Sequence, residues 1–144
     1  RLVSNARRQS REVALQALYA WQLSGGDALE ELKSLDGFED SDKNLARSLV
    51  SGVRDKAAEL QAMISPHVSR DFDKRSPVER AILYIGTYEL SAHPGTPFRV
   101  VLNEAIELGK SFGATEGHRF VNGVLEKIAA ALRPEEVARH RSAP

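Results

Sequence analysis

No cysteine occurs in the chain. That excludes a disulfide framework and a thiolate metal site, and it fits a reducing compartment. No apolar run approaches the roughly 20 residues that a membrane helix needs. The stretch after the N-terminal arginines is broken by Gln16 and Gln22, so it does not read as a signal-peptide core. The expected location is the cytoplasm. There is no internal repeat and no low-complexity segment, and nothing alternates with the two-residue period of a strand. Val100-Val101-Leu102 comes nearest, but it lies inside a longer helical period. Charge of one sign is lacking too: the formal net charge is +0, which at first argues against a nucleic-acid partner.

The distribution of charge says more than its sum. The first eleven residues hold Arg1, Arg7, Arg8 and Arg11 and no acid. Residues 27–42 hold Asp27, Glu30, Glu31, Asp36, Glu39, Asp40 and Asp42 against Lys33. A neutral total therefore combines a basic and an acidic segment, although two solvated faces would give the same composition. With 144 residues, 42% hydrophobic and 28% charged, the chain has the size and profile of one ordinary globular domain.

Periodicity is helical almost throughout. Val13, Ala14, Ala17, Leu18 and Trp21 keep helix spacing up to Gly25-Gly26, and Asp27 can cap a short helix through Leu35. Leu45, Leu49, Val53, Leu60 and Ile64 line one side of a long helix followed by Pro66. Ser76-Pro77-Val78-Glu79 places serine at the N-cap, proline at the first helical position and glutamate at the third, a capping box. The helix it opens carries Val78, Ala81, Ile82 and Ile85. Thr96-Pro97 repeats the start signal for a helix to Phe112, with Gly113 as a left-handed cap. Val121, Val124, Leu125, Ile128 and Leu132 mark a last helix before Pro134. The expected fold class is all-α, a helical bundle of about six to seven helices. One domain covers residues 1–133, and residues 134–144 form a fraying tail.

Signals for catalysis are missing. His67, His93, His118 and His140 have no metal-site spacing, so no metal and no cofactor is expected. Gly109-Lys110-Ser111 resembles the end of a phosphate loop, but the position that needs the earlier glycine is Glu104. Carboxylates such as Glu104 and Glu107 read as solvent-facing charges, and no catalytic residue is assigned.

Binding chemistry is easier to find. On a helix turning about 100° per residue, Ala14, Ala17, Leu18 and Trp21 share one side, and Arg8, Arg11, Leu15 and Tyr19 fall on an adjacent strip about 80° wide. Guanidinium groups neutralise phosphates and stack on bases, and a tyrosine ring offers a further stacking surface. A second cluster, Lys110, Phe112, His118, Arg119 and Phe120, surrounds the Phe112-Gly113-Ala114-Thr115 turn. Glu116 is the acid in this basic neighbourhood and would repel phosphate. The alternatives are that Tyr19 rims the core, that Phe112 and Phe120 pack inside, and that the arginines are merely solvated or meet an acidic protein.

Four ordered blocks are similar to the NusB family: Arg11 through Leu23, Glu79 through Leu90, Pro97 through Leu108, and Phe120 through Leu125. The resemblance spans residues 6–133; residues 25–45 and the tail match poorly. It implies two packed three-helix groups and a transcription antitermination factor. It further implies binding of the single-stranded boxA element of nascent ribosomal RNA transcripts. The implied partners are NusE, which is a small-subunit ribosomal protein, and the RNA polymerase antitermination complex. Carried over residue by residue, the RNA-binding positions are Arg7, Arg8, Arg11 and Tyr19 on the first helix and Lys110, Phe112, Arg119 and Phe120 about the aromatic turn. Glu79 is the candidate contact for NusE. A homodimer that masks the arginines stays open. The family's domain also occurs fused to an RNA cytosine methyltransferase, for which this sequence has neither an α/β domain nor a cysteine nucleophile.

Overall fold

The computed structural model describes residues 3–68, 72–113 and 117–143. Their backbone forms seven helices: α1 (Val3–Ser24), α2 (Ala28–Ser34), α3 (Lys43–Ile64), α4 (Pro77–Ala92), α5 (Phe98–Phe112), α6 (Gly117–Leu132) and α7 (Pro134–Ser142). No strand occurs among the described residues. The helices belong to two compact units, Arg1–Ala57 and Ala58–Pro144. The division falls inside α3, next to Lys56, whose φ of −115° and ψ of 20° interrupt the helix. No helix among the described residues is long and apolar enough to cross a membrane.

In the first unit the apolar residues of α1 that keep helix spacing, Val13, Ala14, Ala17 and Leu18, are buried, as are Ala28 and Leu32 of α2 and Leu45, Leu49 and Val53 of α3. Trp21 is only half-buried. Gly25 reverses the chain after α1 with a φ of 71°, a conformation that costs glycine nothing. Asp27 caps α2 as its position suggests, its Oδ1 accepting from the backbone N–H of Leu29 (3.0 Å) and Glu30 (3.1 Å). The entry to α3 is tied to α1 by a buried hydroxyl. Ser10 Oγ donates to the carbonyl oxygen of Asp42 at 2.7 Å, and Asp42 Oδ1 accepts from the N–H of Leu45.

In the second unit Ser76 Oγ accepts the N–H of Glu79 at 3.1 Å, and Pro77 occupies the first helical position, so α4 starts where its sequence says. Helices α4, α5 and α6 pack against one another. The α5–α6 approach is close because Gly109 has no side chain: a Cβ there would stand 2.6 Å from His118 Cβ and 2.9 Å from its Cα. Gly113 differs from expectation. Its φ of −97° and ψ of 179° are extended rather than left-handed, and its N–H donates to the Gly109 carbonyl.

The larger departure is the C-terminus. Residues 134–142, expected to fray, form α7, with Val137 buried and His140 edge-on to the Phe98 ring at 5.4 Å. The same segment supplies the cap of α5. Thr96 makes no side-chain cap; the N–H of Phe98 donates instead to Glu136 Oε2 at 2.8 Å. Arg133, between α6 and α7, keeps 8% of its side chain exposed. It donates to the carbonyl oxygens of Glu89, Leu90, His93 and Thr96 and to Glu136 Oε1.

The Glu136 carboxyl is held below the usual carboxylate range, first by the Phe98 N–H, against an opposing effect of burial, and further by Arg133. A depressed folded value means that the ionised group favours the folded state at neutral pH. That contribution is lost as pH falls through the folded value. Glu136→Gln should therefore melt below the wild type at pH 7, with the gap closing as the pH falls through the depressed value of this carboxyl. A gap independent of pH would show that the charge has no part in the cap.

Candidate nucleic-acid interface

Two surfaces carry the residues expected to meet RNA, one in each compact unit. On α1 the expected strip straddles the edge of the buried arc. Arg11 is 3% exposed and Leu15 2%, whereas Tyr19 is 39% exposed and Arg8 lies in solvent. The physical reason is angular: Arg11 and Leu15 sit nearer Leu18 on the helix circumference than Arg8 and Tyr19 do. Arg7 is partly exposed and pairs with Asp42 across 3.6 Å, so part of its charge is answered within the chain. Tyr19 and Arg8 are three turns apart on the outer face, a cation followed by an aromatic.

The second surface is an open groove of about 510 Å³ in the second unit. Arg119, Phe120, Gly123, Val124 and Lys127 of α6 form one wall, and Pro66, His67, Val68 and Arg75 the other. The α6 residues share a face because they recur at three- and four-residue intervals. Gly123 opens the groove: nothing stands within 4 Å of where its Cβ would be. Among the described residues the lining holds the permanent cations Arg75, Arg119 and Lys127, the imidazole of His67, and no carboxylate. A low-acid, cation-lined channel with an aromatic in its wall suits a phosphate backbone with unstacked bases.

Phe120 does not offer a bare ring. The Arg75 guanidinium carbon lies 3.6 Å from the ring centroid, well inside cation–π range. Arg75 is itself placed by its neighbours. Arg80 Nη1 donates to the carbonyl oxygens of Asp73 and Arg75, pinning the backbone before α4. Arg75 Nη1 stands 4.0 Å from Glu79 Oε1, with 27% and 15% of the two side chains exposed. Glu79 Oε2 would in turn stand 3.1 Å from a Cβ at Gly117, so the carboxylate lies against the start of α6.

Of the expected cluster, the groove brings together Arg119 and Phe120 but neither Lys110 nor Phe112. Lys110 is exposed and pairs with Glu107 at 3.6 Å, and Phe112 is half-buried. Glu116, with Ala114 and Thr115, lies outside the described residues. Arg75 and Lys127 have no distinguishing sequence context, and His67 stands out only as a histidine without metal-site spacing. Lys127 could have been found as the eighth residue after Arg119 on one α6 stripe. His67 ends one three-residue 3-10 helix and Arg75 follows another, elements too short for a periodicity to point inward. Among the described residues no group of three His, Asp or Glu could hold a metal ion.

Fold and groove define an all-helical protein that carries a cationic, aromatic-bearing channel on its second compact unit. The model of the NusB family matches residues 8–130, and the chain belongs to that family. It is 49% identical over 140 residues to the transcription antitermination protein NusB of Aromatoleum aromaticum, covering 95% of this chain and 97% of that protein. Among solved structures, NusB of T. maritima superposes with a TM-score of 0.82 at 29% identity, covering 92% of this chain and 96% of the other. A crystal structure of the antitermination factors NusB and NusE in complex with dsRNA contains a chain that matches with a TM-score of 0.77 at 28% identity, covering 88% and 98%.

Proposed function

We propose that the chain is a cytoplasmic transcription antitermination factor, an RNA-binding adaptor and not an enzyme. It binds the single-stranded boxA element of nascent ribosomal RNA transcripts beside a NusE-type ribosomal protein, within the complex that keeps RNA polymerase processive. The observation that carries the reading is the groove between α6 and Pro66, His67, Val68 and Arg75, lined among the described residues by three permanent cations and no carboxylate. Family membership and a structural neighbour titled as a complex with NusE and RNA support it. Arg119 and Lys127 serve the phosphates. Arg8 and Tyr19 on α1 provide a second contact, to which Arg7 adds when it leaves Asp42. Arg11, almost wholly buried, serves the packing of α1.

The test is fluorescence anisotropy with a labelled boxA-type single strand, its scrambled control and a duplex of equal length, each with and without NusE, over a range of salt. Three neutralised phosphates should give a log–log salt slope of about −2, from roughly −0.7 per phosphate on a single strand. Preference for the boxA strand should rise when NusE is present. Equal binding to all three nucleic acids with NusE present would contradict the reading.

A further inference from the structure

We infer that Arg75, and not the bare ring of Phe120, is the surface on which an RNA base stacks in the groove, and that Glu79 is the residue that positions it. The inference rests on the groove being the RNA-binding surface. The face of Phe120 toward Arg75 is already covered, with the guanidinium 3.6 Å from the ring centroid. A base that took this place would have to expel a cation from an aromatic face. A base that lands on Arg75 instead finds a planar cation whose second face can stack, while its charge stays near the phosphates.

The guanidinium is held for such a task without being used up. Its backbone is clamped by Arg80, and its guanidinium carbon is seated over the Phe120 ring. Among the described residues the carboxylate it pairs with is Glu79, whose Oε1 is at 4.0 Å, an ion-pair distance too long for a hydrogen bond. Its Nε–H meets no acceptor among the described residues. Glu79 is held between Arg75 and Gly117, and only 15% of its side chain is exposed. Little carboxylate is left for a partner protein to touch, which favours a role inside the chain over the contact with NusE expected from the resemblance.

Three variants of the full chain test this, each checked by circular dichroism and titrated with the boxA-type strand by anisotropy. Arg75→Ala should weaken binding about tenfold or more, the effect of losing one stacked base. Arg75→Lys should keep the salt slope of the wild type yet lose most of the same affinity, because an ammonium carries the charge and not the plane. Glu79→Gln gives the sharper sign. Removing an acid near a polyanion should tighten binding if the effect is only electrostatic; if Glu79 positions Arg75, binding weakens about two- to threefold, on the order of one weak ion pair. Tighter or unchanged binding of Arg75→Ala would show that Arg75 only shields Phe120, and tighter binding of Glu79→Gln would remove its positioning role. If Arg119→Glu with Lys127→Glu leaves binding intact, the groove itself is the wrong surface. If that pair loses binding while the Arg75 variants do not, only the stacking inference fails.

Discussion

Arg133→Ala should lower the unfolding free energy by about 3–5 kcal/mol, the cost of removing one partner from a buried ionic network, and the melting temperature by roughly 10 °C for a chain of this size. Four backbone carbonyls, from Glu89 to Thr96, and the Glu136 carboxylate converge on this one guanidinium. These carbonyls belong to the last turn of α4 and the turn before α5, where the helix's own N–H donors become scarce. Alanine takes the donor from the Leu90 and Thr96 carbonyls, leaves those of Glu89 and His93 with only the backbone N–H of His93 and Thr96, and frees Glu136, which also caps α5. Lysine should recover only part of the loss, because one ammonium cannot reach the acceptors that a planar fork spans. Thermal denaturation of the three proteins followed by circular dichroism measures it. A loss below about 1 kcal/mol, the level of an ordinary single hydrogen bond, would show that Arg133 is not the clasp its contacts describe.

Arg119→Glu combined with Lys127→Glu should weaken RNA binding by about 100-fold or more, taking roughly 1.5 kcal/mol for each charge-assisted contact. Both residues line the same groove and stand two turns apart on α6. Reversal replaces two cations of the lining with two carboxylates. The salt slope should flatten at the same time, since fewer counterions are displaced. Both positions are exposed on the helix, so the melting temperature should change little. Loss of affinity with an unchanged slope would mean that the two cations act through folding and not through phosphate contacts.

Local chemistry explains which parts of this molecule are legible in its sequence. Asp27 and Ser76 cap the N–H groups two or three residues on, so the signal and its partner lie in one short window. The apolar periods of α1, α3, α4, α5 and α6 likewise repeat within a few turns. What escapes depends on partners far away in sequence. The cap of α5 comes from Glu136, 38 residues later, and Arg133 reaches carbonyls 37 to 44 residues back. Charged residues after Pro134 therefore look like a solvated tail until those partners are in place. The site divides in the same way. Arg119 and Phe120 are visible as a cation beside an aromatic on a helix. Arg75 acquires meaning only when its guanidinium is seen over the Phe120 ring. On α1, Arg8 and Arg11 are alike in sequence, and only burial separates the exposed one from the one inside.

The central claim is that RNA occupies the α6 groove. The most direct measurement is a titration of ¹⁵N-labelled protein with the boxA-type strand, following backbone amide resonances in the presence of NusE and in its absence. The expected result is a set of salt-sensitive shifts centred on His67, Arg75, Phe120, Gly123, Val124 and Lys127, with a second set about Arg8 and Tyr19. Shifts confined to α7 or to the acidic stretch from Asp27 to Asp42, with the groove amides unmoved, would contradict the account.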